Sequence, residues 1–212
     1  MRLIAIGDVH GEREKLENLL AKLQLTRKDQ LVFLGDYIDR GPDSKGVIEC
    51  LIQLGKNFPK TVFLRGNHEQ MVLDILGGRR RAITDGFWAW VVWRKNGGKE
   101  TLESYGVEEA YEIPQAHIDF LEKTRRWYRR DGFFFVHAGF DENYPLEDQE
   151  DEDILWTRYC PPGKKEIHVV GHTPCDNKDP FFEEGRYNLD TGATFGGRLT
   201  ACDVLTKKIW QT

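Results

Sequence analysis

Three short apolar runs open the chain at even intervals: Leu3–Ile6, Leu31–Leu34 and Thr61–Leu64. Each gives way to a polar, glycine-bearing turn and then to a helical spacing of apolar residues. Leu16, Leu19, Leu20 and Leu23 fall at i, i+3, i+4 and i+7, one face of an amphipathic helix. Val47, Ile48, Leu51 and Ile52 repeat that face after Pro42-Asp43-Ser44, residues suited to starting a helix. A third helix is predicted around Glu69–Leu76, stopping at Gly77-Gly78. Strands about 30 residues apart with a helix between them are β-α-β units, which predict a parallel sheet covered by helices.

The pattern changes twice further on. From about Arg79 to Lys123 the chain reads as a less regular helical insertion, with Pro114 opening a helix near its end. Trp88, Trp90 and Trp93, with Val91 and Val92, make part of it aromatic-rich, and core packing is the expected role of these tryptophans. The last third reads as antiparallel β. Arg126–Arg130, Asp131-Gly132 and Phe133–His137 form a tight-hairpin signature. Glu166–Val170 is a further strand, and Arg198–Val204 with Lys207–Trp210 a closing pair. The acidic run from Glu147 to Asp153 reads as a solvated loop. No linker or low-complexity tract divides residues 1–212, so one domain with an insertion at about 79–123 is expected.

Composition narrows the partners more than the fold. The 212 residues are 40% hydrophobic and 31% charged, with a net charge of −5, which argues against a general nucleic-acid or membrane-binding surface. No apolar run approaches the roughly 18 residues of a membrane span. The opening apolar run is broken by Asp8, too early for a secretory core, and reads better as a buried strand. Cys50, Cys160, Cys175 and Cys202 are widely spaced, the pattern of free thiols in a reducing cytoplasm rather than a disulfide framework or thiolate metal site.

The chemistry gathers where the strands end. Gly7-Asp8-Val9-His10-Gly11 follows the first, Gly35-Asp36-Tyr37-Ile38-Asp39-Arg40-Gly41 the second, and Arg65-Gly66-Asn67-His68-Glu69 the third. Two later strands end at His137-Ala138-Gly139 and Gly171-His172-Thr173. Ligands of open parallel sheets collect at the carboxyl ends of the strands, so these turns bring two aspartates, an asparagine and histidines to one rim. Oxygen and imidazole donors without thiolate suit a borderline divalent ion. Six or seven such donors exceed what one ion takes with water present. Two ions sharing one carboxylate, roughly 3.5–4 Å apart, account for them.

In order, G-D-V-H-G, G-D-Y-I-D-R-G, R-G-N-H-E, H-A-G and G-H-T resemble the metallophosphoesterase superfamily. The second and third blocks are similar to its phosphoprotein phosphatase branch, the serine/threonine phosphatases. Arg65–Met71, Leu155–Arg158 and Asp190–Thr200 look closest to the small bacterial and phage-lambda-type members. The resemblance implies an α/β fold, a four-layer α/β/β/α sandwich with a β-α-β-α-β metal-binding core. It also implies two divalent ions, manganese foremost with iron or zinc as alternatives. Asp8, His10 and Asp36 would hold one ion; Asp36, Asn67, His137 and His172 would hold the other. His68 matches the general acid, Asp39 the carboxylate that orients it, and Arg40 and Arg158 the arginines that grip phosphate.

The expected reaction is attack of a metal-bridging hydroxide on a phosphoserine or phosphothreonine monoester of a protein or peptide, with phosphotyrosine a further candidate. An alkoxide is a poor leaving group, so a proton donor contributes about 10²–10⁴-fold. A dinucleoside polyphosphate hydrolase, resembling the diadenosine tetraphosphatases, is the alternative; those enzymes tend to vary at the position of Asp39. An inactive scaffold is the remote one, and no ligand or acid is missing to favour it. Glu69 is expected to support the rim, Arg65 to form a structural salt bridge, His117 to face solvent, His168 to be a satisfied structural residue, and Asp190 to shape the floor without binding metal.

Overall fold

The structure is a computed structural model that describes residues 1–78 and 89–212. Trp88 and the first part of the expected insertion, 79–88, lie outside the described residues.

The three opening runs form β1 (Leu3–Ile6), β2 (Gln30–Phe33) and β3 (Val62–Phe63), with β2 parallel to both neighbours. Helix α1 (Arg13–Leu23) joins β1 to β2, and α2 (Ser44–Asn57) joins β2 to β3. Asp43 caps α2 by accepting the Gly46 amide at 2.8 Å, as the Pro-Asp-Ser start predicts. Helix α3 (Asn67–Gly78) follows the third turn.

The described part of the insertion contains a helical stretch at 89–98, then α4 (Lys99–Tyr105) and α5 (Gln115–Glu122), the last opened by Pro114. Strands β4 (Trp127–Arg130) and β5 (Phe133–Val136) make the predicted hairpin; Asp131 and Gly132 take φ of 51° and 81°, the left-handed pair of a type I′ turn. The acidic run is more ordered than a solvated loop. Its last residues, Asp151–Asp153, open helix α6 (Asp151–Leu155), and these first-turn carboxylates complement the helix N-terminus.

Strands β6 (Ile167–Val170), β7 (Phe181–Glu183) and β8 (Arg186–Asn188) complete the second sheet, ordered β4-β5-β6-β8-β7. Here the antiparallel expectation needs correction: β5, β6 and β8 pair in parallel, because long connections carry the chain back to the same end. The closing pair, β9 (Thr200–Asp203) and β10 (Lys208–Gln211), returns to the first sheet, ordered β10-β9-β1-β2-β3.

Alternation along the strands builds four layers. Leu3, Ala5, Val32 and Leu34 face Phe133, Phe135, Val169 and Tyr187 across the two sheets. Ile4, Ile6, Leu31 and Phe33 face the opposite way, onto Leu16, Leu19, Val47, Ile48 and Leu51 of α1 and α2. Phe134, Val136 and Val170 pack against Ile154 and Leu155 of α6. Full burial of one such side chain is worth about 1.5–3 kcal/mol, so each strand is fixed by both of its faces. The two sheets end at a common edge, where β1, β2, β5 and β6 lead into the turns that carry Asp8, Asp36, His137 and His172. No helix among the described residues is long and apolar enough to cross a membrane.

Candidate metal centre

Backbone hydrogen bonds tie the five turns together before any side chain is considered. The Val9 and His10 amides both donate to the Asp36 carbonyl, at 3.0 and 2.8 Å. Glu69 accepts from the Asp36 and Tyr37 amides, each at 2.8 Å, and from the Gly66 amide at 2.9 Å. Its buried carboxylate therefore pins the second turn to the third, the supporting role expected of it. Gly66 is required there: a Cβ would overlap the Asp36 amide nitrogen and carboxylate. The conformations are strained as well. His10, Asp36, Asp39, Arg40 and His172 all have positive φ, between 45° and 72°. Non-glycine residues in this region cost about 1–3 kcal/mol each and persist only where surroundings hold them.

The side chains converge on Asp36. His10 Nε2 lies 3.4 Å from Asp36 Oδ2, and His137 Nε2 3.4 Å from Asp36 Oδ1. Asn67 Oδ1 stands 3.1 Å from His137 Nε2 and 3.1 Å from His172 Nδ1. Two groups of donor atoms, each within 4.8 Å, result: His10, Asp36 and His68, and Asp36, His137 and His172. Asp36 belongs to both. Asp8 is outside these two groups, yet it is buried, its Oδ2 accepts the His172 amide at 2.9 Å, and its Oδ1 has no hydrogen-bond partner among the described residues.

The ring orientations suit metal binding. His10 Nδ1 meets the Ile38 carbonyl at 3.0 Å and His137 Nδ1 the Leu34 carbonyl at 2.9 Å. A carbonyl only accepts, so Nδ1 carries the proton in both and Nε2 presents a lone pair to the centre. Burial pushes His10 down to about 3 and His172 down to about 4, and lowers His137, which keeps the imidazoles neutral. Burial, then Asp190 and Asp36, raises Asp8 well above the usual carboxylate range, and burial pushes Asp190 up to about 6. For Asp36 burial acts in the same upward direction, but in acid, where the rings take up protons, the charges of His137, His68, His10 and His172 outweigh it and hold its carboxyl below that range. Lone pairs and carboxylates thus crowd one buried volume, and divalent cations relieve that crowding. The donor set fits two of them.

Beside this cluster stands a second arrangement. His68 Nδ1 donates to Asp39 Oδ2 at 2.7 Å, while its Nε2 lies 4.0 Å from Asp36 Oδ2 and has no hydrogen-bond partner among the described residues. Burial lowers His68, but Asp36 and the bond to Asp39 outweigh it, so its affinity for a proton is raised. Arg40 donates to His10 Nε2 at 2.8 Å and lies over the exposed Phe195 ring at 5.2 Å. Arg158 is exposed, and its charge contributes to lowering His172.

Two residues differ from expectation. His117 is buried, with Nδ1 2.7 Å from the Tyr105 hydroxyl, because helical spacing puts it on the inner face of α5 with Ile118 and Leu121. Arg65 forms no ion pair among the described residues; it donates to the Leu121, Glu122 and Thr124 carbonyls and caps the end of α5. His168 is satisfied by the Pro161 carbonyl at 2.6 Å, as expected. Asp190 accepts the Gly192 amide at 2.9 Å, and its charge acts on Asp8. Sequence reading missed Trp93 and Thr101, both of which donate to Asp39.

The family described as calcineurin-like phosphoesterase matches residues 1–198. Serine/threonine-protein phosphatase 1 of Salmonella typhimurium is 31% identical over 208 residues, covering 92% of this chain and 88% of its own. The asymmetrical bis(5′-nucleosyl)-tetraphosphatase PrpE of Oceanobacillus iheyensis is 29% identical over 233 residues, covering 95% and 88%. In structure, the chain is similar to a putative diadenosine tetraphosphatase with a TM-score of 0.71, at 24% identity, over 100% of this chain and 92% of that one.

Proposed function

We propose that this chain, which belongs to the calcineurin-like phosphoesterase family, hydrolyses phosphoserine and phosphothreonine monoesters of proteins or peptides. Asp8, His10, Asp36, Asn67, His137 and His172 would hold two divalent ions, with Asp36 shared and manganese the first candidate. When bound, such a pair supplies Lewis-acid activation of water and of the phosphate oxygens. The protein's own groups do the rest. Arg40 and Arg158 grip phosphate oxygens with guanidinium forks that match them two bonds at a time. Asp39 orients the His68 ring, and His68 Nε2 gives its proton to the departing serine or threonine oxygen.

The buried His68–Asp39 pair, at 2.7 Å, carries the choice of substrate. An alkoxide leaves slowly without a proton, so an oriented acid is worth about 10²–10⁴-fold on such an ester. A dinucleoside polyphosphate expels a phosphate, which leaves well unprotonated and gains little from such an acid. The nucleotide reading has its own support in the 29% identity to the tetraphosphatase of Oceanobacillus iheyensis. Turnover of a phosphoserine peptide and of diadenosine tetraphosphate by manganese-loaded protein separates the two. The phosphatase reading expects the larger kcat/KM on the peptide; a dominant rate on the dinucleotide overturns it.

A further inference from the structure

Asp39 is completely buried, and the groups that hold it come from far along the chain. Trp93 Nε1 donates to both carboxylate oxygens, at 3.0 and 2.9 Å. The Thr101 hydroxyl donates to Oδ1 at 2.6 Å. These two donors, with His68 Nδ1, leave the carboxylate little freedom to rotate. The Asp39 amide donates in turn to Ser44 Oγ at 3.0 Å and to Thr101 Oγ1 at 2.9 Å, so Thr101 touches both the backbone and the side chain of Asp39.

The neighbouring residue is held from the same place. The Arg40 amide donates to the Gly97 carbonyl at 3.2 Å. Gly97 has a φ of +106°, and a Cβ there would press on the Arg40 backbone. Gly98 lies under the Trp93 indole, where a Cβ would overlap the ring. Asp39 and Arg40, at φ of 72° and 68°, are two consecutive left-handed residues, a turn that costs about 1–3 kcal/mol for each. The insertion offsets that cost by hydrogen bonding both.

We propose that Trp93 and Thr101 are positioning residues for the His68–Asp39 pair: the insertion clamps the Asp39–Arg40 turn so that Asp39 Oδ2 is aimed at His68 Nδ1. This rests on reading His68 as the proton donor. With Thr101 lacking its hydroxyl, Asp39 Oδ1 loses its shortest bond and the carboxylate can turn away from the ring. With Trp93 lacking its indole N–H, the same face is left with one donor.

The test uses the full chain with Thr101→Val, Trp93→Phe and the conservative Thr101→Ser. One readout is the proton resonance of His68 Nδ1–H, assigned by its loss in His68→Asn, in metal-free protein and in protein loaded with diamagnetic zinc. It is expected in the wild type and Thr101→Ser, and shifted or exchanged away in Thr101→Val and Trp93→Phe while the amide spectra stay dispersed. The other readout is kcat on phenyl phosphate, a poor leaving group, against p-nitrophenyl phosphate, a good one. Both disruptive variants should lose about tenfold or more on the first and under about threefold on the second, with KM within about twofold and Thr101→Ser near wild type. Equal losses on both esters, or an unmoved resonance in the two folded variants, overturn the proposal. A wild type inactive on both esters sinks the hydrolase reading instead, and the resonance alone then decides whether these two residues hold the pair.

Discussion

His68 Nδ1 lies 2.7 Å from Asp39 Oδ2, and the other nitrogen of the same ring lies 4.0 Å from Asp36 Oδ2. One imidazole therefore joins a fixed carboxylate on one side to the crowded donor cluster on the other. The ring cannot rotate without breaking the Asp39 bond, so Nε2 stays aimed at the centre.

Replacing His68 with Asn is expected to lower kcat on a phosphoserine peptide by about 10²-fold or more, with a smaller loss on p-nitrophenyl phosphate. Metal content should stay at the wild-type level. Steady-state rates with parallel metal analysis check this; equal losses on both substrates contradict the proton-donor role.

Much of this centre was legible in the order of residues. Asp8, His10, Asp36, Asn67, His137 and His172 each follow an apolar run, and a strand end is where parallel sheets expose side chains. The apolar faces of α1 and α2 were equally plain, since helical periodicity is a local property. Trp93 was not legible as a partner of Asp39, because 54 residues separate them and no spacing rule joins an insertion to a turn. Strands β7 and β8 are three residues each, too short to show alternation around Glu184-Gly185. His117 was misplaced because its charged neighbours on α5 obscure an inner face only three residues wide.

Asp36→Asn should remove both ions together, since the shared carboxylate faces His10 on one side and His137 on the other. Metal analysis after manganese loading should give under about one ion per chain, with activity down at least about 10³-fold. Retention of two ions would count against sharing.

Glu69→Gln keeps the shape of the side chain but gives up one of the two oxygens that accept the Asp36, Tyr37 and Gly66 amides. Groups that orient metal ligands typically affect affinity by about 10–100-fold. Activity is therefore expected to need roughly that much more manganese for half-saturation, with kcat largely restored at saturation. A metal titration of rate distinguishes this from a direct loss of chemistry.

Far from the centre, Arg2 grips Asp29 at 2.5 Å and also donates to the Leu23 carbonyl at the end of α1. The Arg2 guanidinium, with help from Thr26, holds the Asp29 carboxyl well below the usual carboxylate range. A carboxyl lowered in the folded state contributes stability above its unfolded value, near 4, and loses it as pH falls below that. Asp29→Asn should cost about 1–2 kcal/mol at pH 7, and the difference from wild type should shrink at pH 3. Urea unfolding at the two pH values checks the sign; a gap that widens in acid contradicts it.

The shared carboxylate is tested most directly by anomalous diffraction from crystals of the manganese-loaded protein. Two peaks about 3.5–4 Å apart, each in contact with an oxygen of Asp36, are predicted. A single peak in fully loaded crystals, or a pair that leaves Asp36 untouched, would contradict the account.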